Sequence, residues 1–312
     1  WYPLSLNSSE RAPLILTVIF KPSIFELLSK SKKKSNSELQ LAEDFNLALK
    51  KKDKPFTLFD THAGAGAYDL TDAMSSKNKE YETGISRLLI DDKGVQDLPN
   101  LLADYLSLCE PFLAQQQYPG SPAISAKAKR DGDNLHLMEL HPAEFDKLDK
   151  NVSRLRTRNS HVHKRDGYEG LRALTPPKPN RGAILIDPPY ERVNEYSDLV
   201  KGVEQVFKRW HQAQIVVWYP LLSERAGAKS GASETMSEKL AALGKPCFKA
   251  EIHVAENTPD AGMYGSGVFV LNPPWQLDAN LESALESVVG MLGADETGYH
   301  ATAHVTWINE DN

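Results

Sequence analysis

Cysteine is scarce, with only Cys109 and Cys247 in 312 residues. Two thiols cannot staple a disulfide scaffold and no paired-thiol spacing suggests a metal site, so a reducing, cytoplasmic setting and no metal are expected. Long apolar runs are lacking too. The longest near the front, Leu14 to Phe20, falls well short of the roughly 20 residues that cross a bilayer. It has no small-residue cleavage site behind it and no strongly basic lead, so neither a membrane span nor a secretory signal is expected. A basic excess is also missing: 36 Lys and Arg against 42 Asp and Glu leave a net charge of −6. Proteins that coat nucleic acid nonspecifically neutralise phosphates with surplus cations, which this chain does not have, although a local basic face stays compatible. What is present, 41% hydrophobic and 25% charged residues, is the composition of an ordinary globular protein with ample material for a core. At about 150 residues per domain, it makes one large domain or two small ones.

The first 54 residues mix prolines, the run Lys32-Lys33-Lys34 and a stretch that Ser37 can cap as a helix carrying Leu39, Leu41, Phe45, Leu47 and Leu49. The pattern then changes. Phe56-Thr57-Leu58-Phe59-Asp60 is a short β-rich run ending in an acid and leading into the glycine turn Thr61-His62-Ala63-Gly64-Ala65-Gly66. Similar buried strands are predicted over Leu135 to Leu140, Gly182 to Ile186 and Gln214 to Trp218, and a weaker one over Ser160 to Lys164. They end respectively at Glu139 and His141-Pro142, at Asp187-Pro188-Pro189-Tyr190, at Tyr219-Pro220 and at Asp166-Gly167. Helical stretches at Ser197 to Trp210 and Ser233 to Leu243 lie between them. Strands alternating with helices predict a doubly wound α/β fold. Further runs at Phe248 to Val254, Gly267 to Leu271 and His304 to Ile308 would complete a mostly parallel sheet of about seven strands. The interval from Gly66 to Leu135 is too long for one crossover helix. Ile85 to Leu89, Leu98 to Phe112 and Ala123 to Lys129 read as helices of an insertion at about 67–133 within a domain spanning 55–312.

In an open parallel sheet, ligands sit beyond the carboxyl ends of the strands, where the strand order reverses. The glycine pair lets backbone approach a cofactor, Glu139 is placed to accept two ribose hydroxyls, and Asp166-Gly167 could grip an adenine edge. A dinucleotide fingerprint needs a third small residue where Asp69 stands, and an acid there would face a pyrophosphate badly. No Gly-Lys-Ser/Thr follows, which excludes a P-loop. Asp60-x-x-x-Gly64-x-Gly66 matches instead the first motif of methyltransferases that use S-adenosylmethionine, a cofactor without phosphate.

Asp187-Pro188-Pro189-Tyr190 has the pattern of enzymes that methylate the exocyclic amine of adenine. That amine is a poor nucleophile because its lone pair is delocalised into the ring. The Asp187 carboxylate and the Pro188 carbonyl can each accept one of its N–H bonds, drawing nitrogen toward a tetrahedral geometry. The Tyr190 ring would offer a stacking face for a base swung out of its helix. A second turn of the same shape, Asn272-Pro273-Pro274-Trp275, resembles the version used on amides. Its place after a much later strand, away from the cleft, makes it structural.

With these residues assembled, the chain from about Lys52 to Ile308 resembles the RlmJ family of bacterial methyltransferases, which modify the N6 amine of an adenine in large-subunit ribosomal RNA. The likeness rests on Lys54-Pro55-Phe56, Asp60 to Gly66, Tyr118-Pro119-Gly120-Ser121-Pro122, Glu139-Leu140-His141-Pro142, Asp166-Gly167, Ile186 to Tyr190, Trp218-Tyr219-Pro220 and Asn272 to Trp275. It implies S-adenosylmethionine contacts at His62, Ser121, Glu139, Asp166 and Gly167, and Asp187 as the catalytic acceptor. It also implies ribosomal RNA as substrate and a link to the use of external DNA as a nutrient. The family's opening block, with Tyr-Arg-His and a later Lys-His pair, has no counterpart before Lys50, so 1–54 reads as a divergent N-terminal segment. Candidate RNA contacts are Arg154, Arg156, Arg158, His161, His163, Lys164 and Arg165, with Lys127, Lys129 and Arg130 as a second patch. Methylation of adenine in DNA, or nucleic-acid binding with a degenerate catalytic site, are the alternatives.

Overall fold

Strands buried on both faces need uninterrupted apolar sequence, and β1 (Thr57–Asp60) and β6 (Gly182–Ile186) are buried at every position. A computed structural model describes residues 54–71, 98–292, 294 and 297–310. The divergent front segment, its Ser37-capped helix and the helix expected at Ile85 to Leu89 lie outside them.

β1 pairs in parallel with β6 on one side and with β4 (Asn134–Glu139) on the other. β4 pairs with β5 (Ser160–Lys164), and β6 with β7 (Gln214–Leu222), both in parallel. The chain moves outward from β1 to β4 and β5, then returns to β6 and continues to β7. The order therefore reverses between β1 and β6, and a crevice opens beyond their carboxyl ends. Three further strands, β8 (Cys247–His253), β9 (Met263–Leu271) and β10 (Thr302–Asn309), extend the sheet antiparallel. The full order is β10-β8-β9-β7-β6-β1-β4-β5. The eight runs read from sequence thus join one sheet, one strand more than expected.

Two segments differ from expectation. β7 does not stop at Trp218 but runs to Leu222, because β9 continues to pair with it as far as Met263. Pro220 is tolerated there because β6 already ends opposite Val217, so its missing N–H has no strand to serve on that side. The insertion is not wholly helical. It holds α1 (Asn100–Leu113) and α2 (Ser121–Ala128), together with a ribbon in which β2 (Ala67–Asp69) pairs antiparallel with β3 (Gln117–Pro119). Strands of three residues are too short to show any periodicity.

Crossover helices α3 (Pro142–Leu155), α4 (Gly167–Leu174) and α5 (Asn194–Phe207) start at the carboxyl ends of β4, β5 and β6. Beyond them lie α6 (Ala232–Ala241), after a short 3-10 helix at Glu224–Lys229, and α7 (Leu277–Leu292), which packs on β10 and α1. Phe59, Trp210, Phe248 and Phe269 are among the fully buried side chains of one continuous core. Among the described residues, no helix is long and apolar enough to cross a membrane.

Candidate active site

The crevice between β1 and β6 is closed at its base by Thr61. Its N–H and its hydroxyl both donate to the Leu185 carbonyl, each at 3.1 Å. This joins the start of the glycine turn to the strand end that carries Asp187, two residues on. From the third side comes α4, whose first residue, Gly167, lies so close that a Cβ there would stand 2.3 Å from the Thr61 carbonyl oxygen. Only glycine fits. Asp166 caps the same helix, one carboxylate oxygen accepting the Glu169 N–H at 2.9 Å. Five of the expected residues, His62, Gly64, Asp166, Gly167 and Asp187, are thereby gathered at one sheet edge.

Glu139, at the end of the neighbouring β4, holds the turn directly. One of its oxygens accepts the Gly64 N–H at 2.8 Å and the other the His141 N–H at 2.7 Å. Gly64 and Gly66 take φ values of 62° and 80°, in the left-handed region that favours glycine. Asn151 on α3 donates to the carbonyls of Ala65 and Ala67, at 2.9 and 3.3 Å. Ala63 donates to Met138. Asp60 differs from expectation. Asp60 is 0% exposed and accepts the Ser121 hydroxyl at 2.6 Å and the His62 N–H at 3.3 Å. It braces the turn from beneath, where a cofactor cannot touch it, and it takes the Ser121 proton, which leaves the Ser121 oxygen as an acceptor.

The bonding of this turn tests which cofactor it suits. The N–H groups of Ala63, Gly64 and Ala65 are donated to Met138, Glu139 and the Tyr68 hydroxyl, so they do not form a nest for a pyrophosphate. Carboxylates at Glu139, Asp166 and Asp187 line the same edge, which favours a cationic ligand rich in hydroxyl donors over a phosphate. S-adenosylmethionine, with its sulfonium, ammonium and ribose diol, fits those donors and acceptors. Among the described residues no group of three or more His, Cys, Asp or Glu is arranged to hold a metal.

The family profile described as "Ribosomal RNA large subunit methyltransferase D, RlmJ" matches residues 53–309. The chain belongs to the RlmJ family. Two curated relatives bear the name Ribosomal RNA large subunit methyltransferase J. The Escherichia coli (strain K12) protein is 36% identical over 265 residues, covering 84% of this chain and 89% of the relative. The Haemophilus influenzae protein is 33% identical over 263 residues, covering 83% and 89%. A crystal structure of a Legionella pneumophila protein superposes with a TM-score of 0.75 at 26% identity, covering 94% of this chain and 97% of its own. This RlmJ-family chain is an S-adenosylmethionine-dependent methyltransferase.

Two expectations about RNA contact are corrected by the RlmJ-family fold. Tyr190 does not offer an open stacking face: it is 3% exposed, its ring packs on Tyr196 with centroids 4.5 Å apart, and its hydroxyl donates to the Trp218 carbonyl at 2.6 Å. That burial pushes the phenol pKa well above its ordinary value. Nor do the cations form one face. Arg154, Arg156 and Arg158 precede the amino end of β5, whereas Lys164 and Arg165 stand at its carboxyl end, beside the cofactor edge. Lys164 lies over the Phe145 ring and Arg165 pairs with Glu169 at 3.5 Å. His161 and His163 stack on His136 instead of standing apart. The second patch is structural: Lys129 is buried and donates to the carbonyls of Asp133 and Arg158, and Arg130 grips Asp133 and the Lys54 carbonyl. Lys127 of that group is exposed.

Sequence reasoning also missed Thr61, Asn151 and Lys229, whose ammonium donates to the Tyr190 carbonyl at 3.3 Å. Each acts on backbone far away in the chain, a relation that no local spacing encodes.

Proposed function

We propose that the chain methylates the N6 amine of an adenine in large-subunit ribosomal RNA, in the cytoplasm, with Asp187 as the catalytic acceptor. The observation that carries this reading is the position of Asp187-Pro188-Pro189-Tyr190. It follows β6, the strand hydrogen-bonded to β1, and stands beside the turn that Glu139 holds. S-adenosylmethionine, when bound by His62, Ser121, Glu139, Asp166 and Gly167, supplies an electrophilic methyl group. The chain supplies the rest. Asp187 and the Pro188 carbonyl accept the two amine N–H bonds, which turns the nitrogen lone pair out of the base and orients it. Asp187 also provides an acceptor for the proton that the amine must release. Holding the amine in this orientation contributes a rate effect of several kcal/mol, on the order of that seen for well-placed reactants. Tyr190 serves by fixing the loop from behind, through Trp218 and Lys229, and Lys164 and Arg165 are the cations placed to meet RNA phosphates at this edge.

Incubation with labelled S-adenosylmethionine tests the reading, with unmodified ribosomal RNA and DNA offered as competing acceptors. Label is expected in N6-methyladenine of the RNA. Label in DNA alone, or an undiminished rate for Asp187→Ala, would refute it.

A further inference from the structure

One side chain outside the strand-end motifs reaches into the glycine turn. Tyr68, on β2, has its phenol oxygen 2.6 Å from where a Cβ at Gly64 would stand, and its ring edge 3.2 Å from the corresponding point at Gly120. The oxygen accepts the Ala65 N–H, and burial together with the nearby Glu144, Asp60 and Glu139 keeps the phenol protonated. Behind it, Tyr68 pairs across the ribbon with Tyr118, whose hydroxyl meets that of Tyr105 on α1 at 2.6 Å. The Gly120 N–H closes the same ribbon onto the Gly66 carbonyl at 2.9 Å. A line of contacts thus runs from the insertion into Gly64-Ala65-Gly66.

We infer that Tyr68 is a positioning residue for the cofactor: through it, the segment inserted between β1 and β4 holds Gly64 and Ala65 in the conformation that binds S-adenosylmethionine. A turn with two left-handed glycines has many backbone conformations open to it, and only the fraction already in the binding form contributes to affinity. Met138, Glu139 and Asn151 fix the turn from the sheet and from α3. Tyr68 is the contact from the insertion, and it takes the Ala65 N–H, which Met138, Glu139 and Asn151 do not meet. The inference rests on the cofactor reading above.

The test is calorimetry of the full chain with S-adenosylmethionine, alongside thermal melting and steady-state kinetics. Tyr68→Phe keeps the ring and removes the acceptor, so Kd is expected to rise about five- to tenfold, the worth of one hydrogen bond to a group otherwise left unsatisfied. KM for the cofactor should follow, while kcat at saturation and the melting temperature stay unchanged. Tyr118→Phe, one step further into the insertion, is expected to raise Kd about two- to threefold, a fraction of that hydrogen bond. Should Tyr68→Phe fail to fold, Tyr118→Phe decides, an unchanged Kd overturning the inference. A Kd within twofold of the parent for Tyr68→Phe overturns the inference, and so does a rise accompanied by losses in kcat and melting temperature. If the parent itself binds no S-adenosylmethionine, the cofactor reading is what has failed.

Discussion

Two Pro-Pro turns of the same shape stand in this molecule, and the sheet gives them opposite fates. Asp187-Pro188-Pro189-Tyr190 follows a parallel strand and lies at the edge where the strand order reverses. Asn272-Pro273-Pro274-Trp275 follows β9, which runs antiparallel to β7, so it emerges at the other edge. Each turn contains a left-handed residue, Tyr190 at φ 52° and Asn272 at φ 50°. The fourth residues differ most: Tyr190 is 3% exposed and Trp275 78%. The side-chain amide of Asn272 is spent on the carbonyls of His211 and Ala213, at 3.0 and 2.9 Å, and its own N–H on Pro246. Strand direction thus sends two like motifs to opposite edges of the sheet, and only the first stands beside the glycine turn.

The sharpest way to break this comparison is to exchange the two acidic or amide residues for alanine. Asp187→Ala is expected to lower methyl transfer by at least about a thousandfold while sparing cofactor affinity, if amine activation and orientation supply several kcal/mol. Asn272→Ala should leave kcat unchanged in the same assay; a loss like that of Asp187→Ala would put the second turn into the chemistry. Its cost should instead appear in denaturant melts as about 2 kcal/mol, from two side-chain hydrogen bonds that hold the loops together. Gly167→Ala probes the support of the first turn. A methyl 2.3 Å from the Thr61 oxygen must push α4 away, which should cost about 1 to 3 kcal/mol of stability and weaken cofactor binding together.

A smaller effect separates the half of the sheet that bears the first turn. Phe59, His136 and His161 stand side by side on β1, β4 and β5, with His163 against His136 at 3.0 Å between ring nitrogens. Burial, then the neighbouring His161 and His163, lowers the His136 pKa to about 4. The unfolded chain would protonate His136 near its ordinary 6.5 and the folded chain only near 4, so stability falls as pH drops through that window. A loss on the order of 1 kcal/mol between pH 7 and pH 4.5 is expected after solvent screening, and His136→Phe should remove most of it. Smallest of all is Trp275→Ala, which at 78% exposure should change stability by no more than about 0.5 kcal/mol.

The legible parts were those that local pattern encodes. β6 coincides with its predicted run because a buried parallel strand is a plain apolar stretch with an abrupt end, and β5, an edge strand with no buried position, coincides with the weaker run. The acids and glycines at those ends could be read for the same reason, and Asn272 could be set aside by strand position alone. What stayed illegible depends on direction and on distant partners. Nothing in the letters shows that Tyr190 turns inward to the Trp218 carbonyl, or that Lys129 spends its charge on Arg158 and Asp133. The basic patch looked continuous because its members are close in sequence, yet β5 carries the chain across the sheet between them. Tyr68 escaped because its strand is three residues long.

The double donation of Thr61 to Leu185, locked from above by Gly167, has a consequence for how the molecule opens. Thr61 sits where the two central strands end, so its amide can be freed only when β1 and β6 part. That event belongs to global unfolding and not to fraying at an edge. In a hydrogen-exchange experiment the Thr61 amide is therefore expected among the slowest of the chain, far slower than the amides of β10. The corner that receives the methyl donor would then be among the last parts of the protein to come undone.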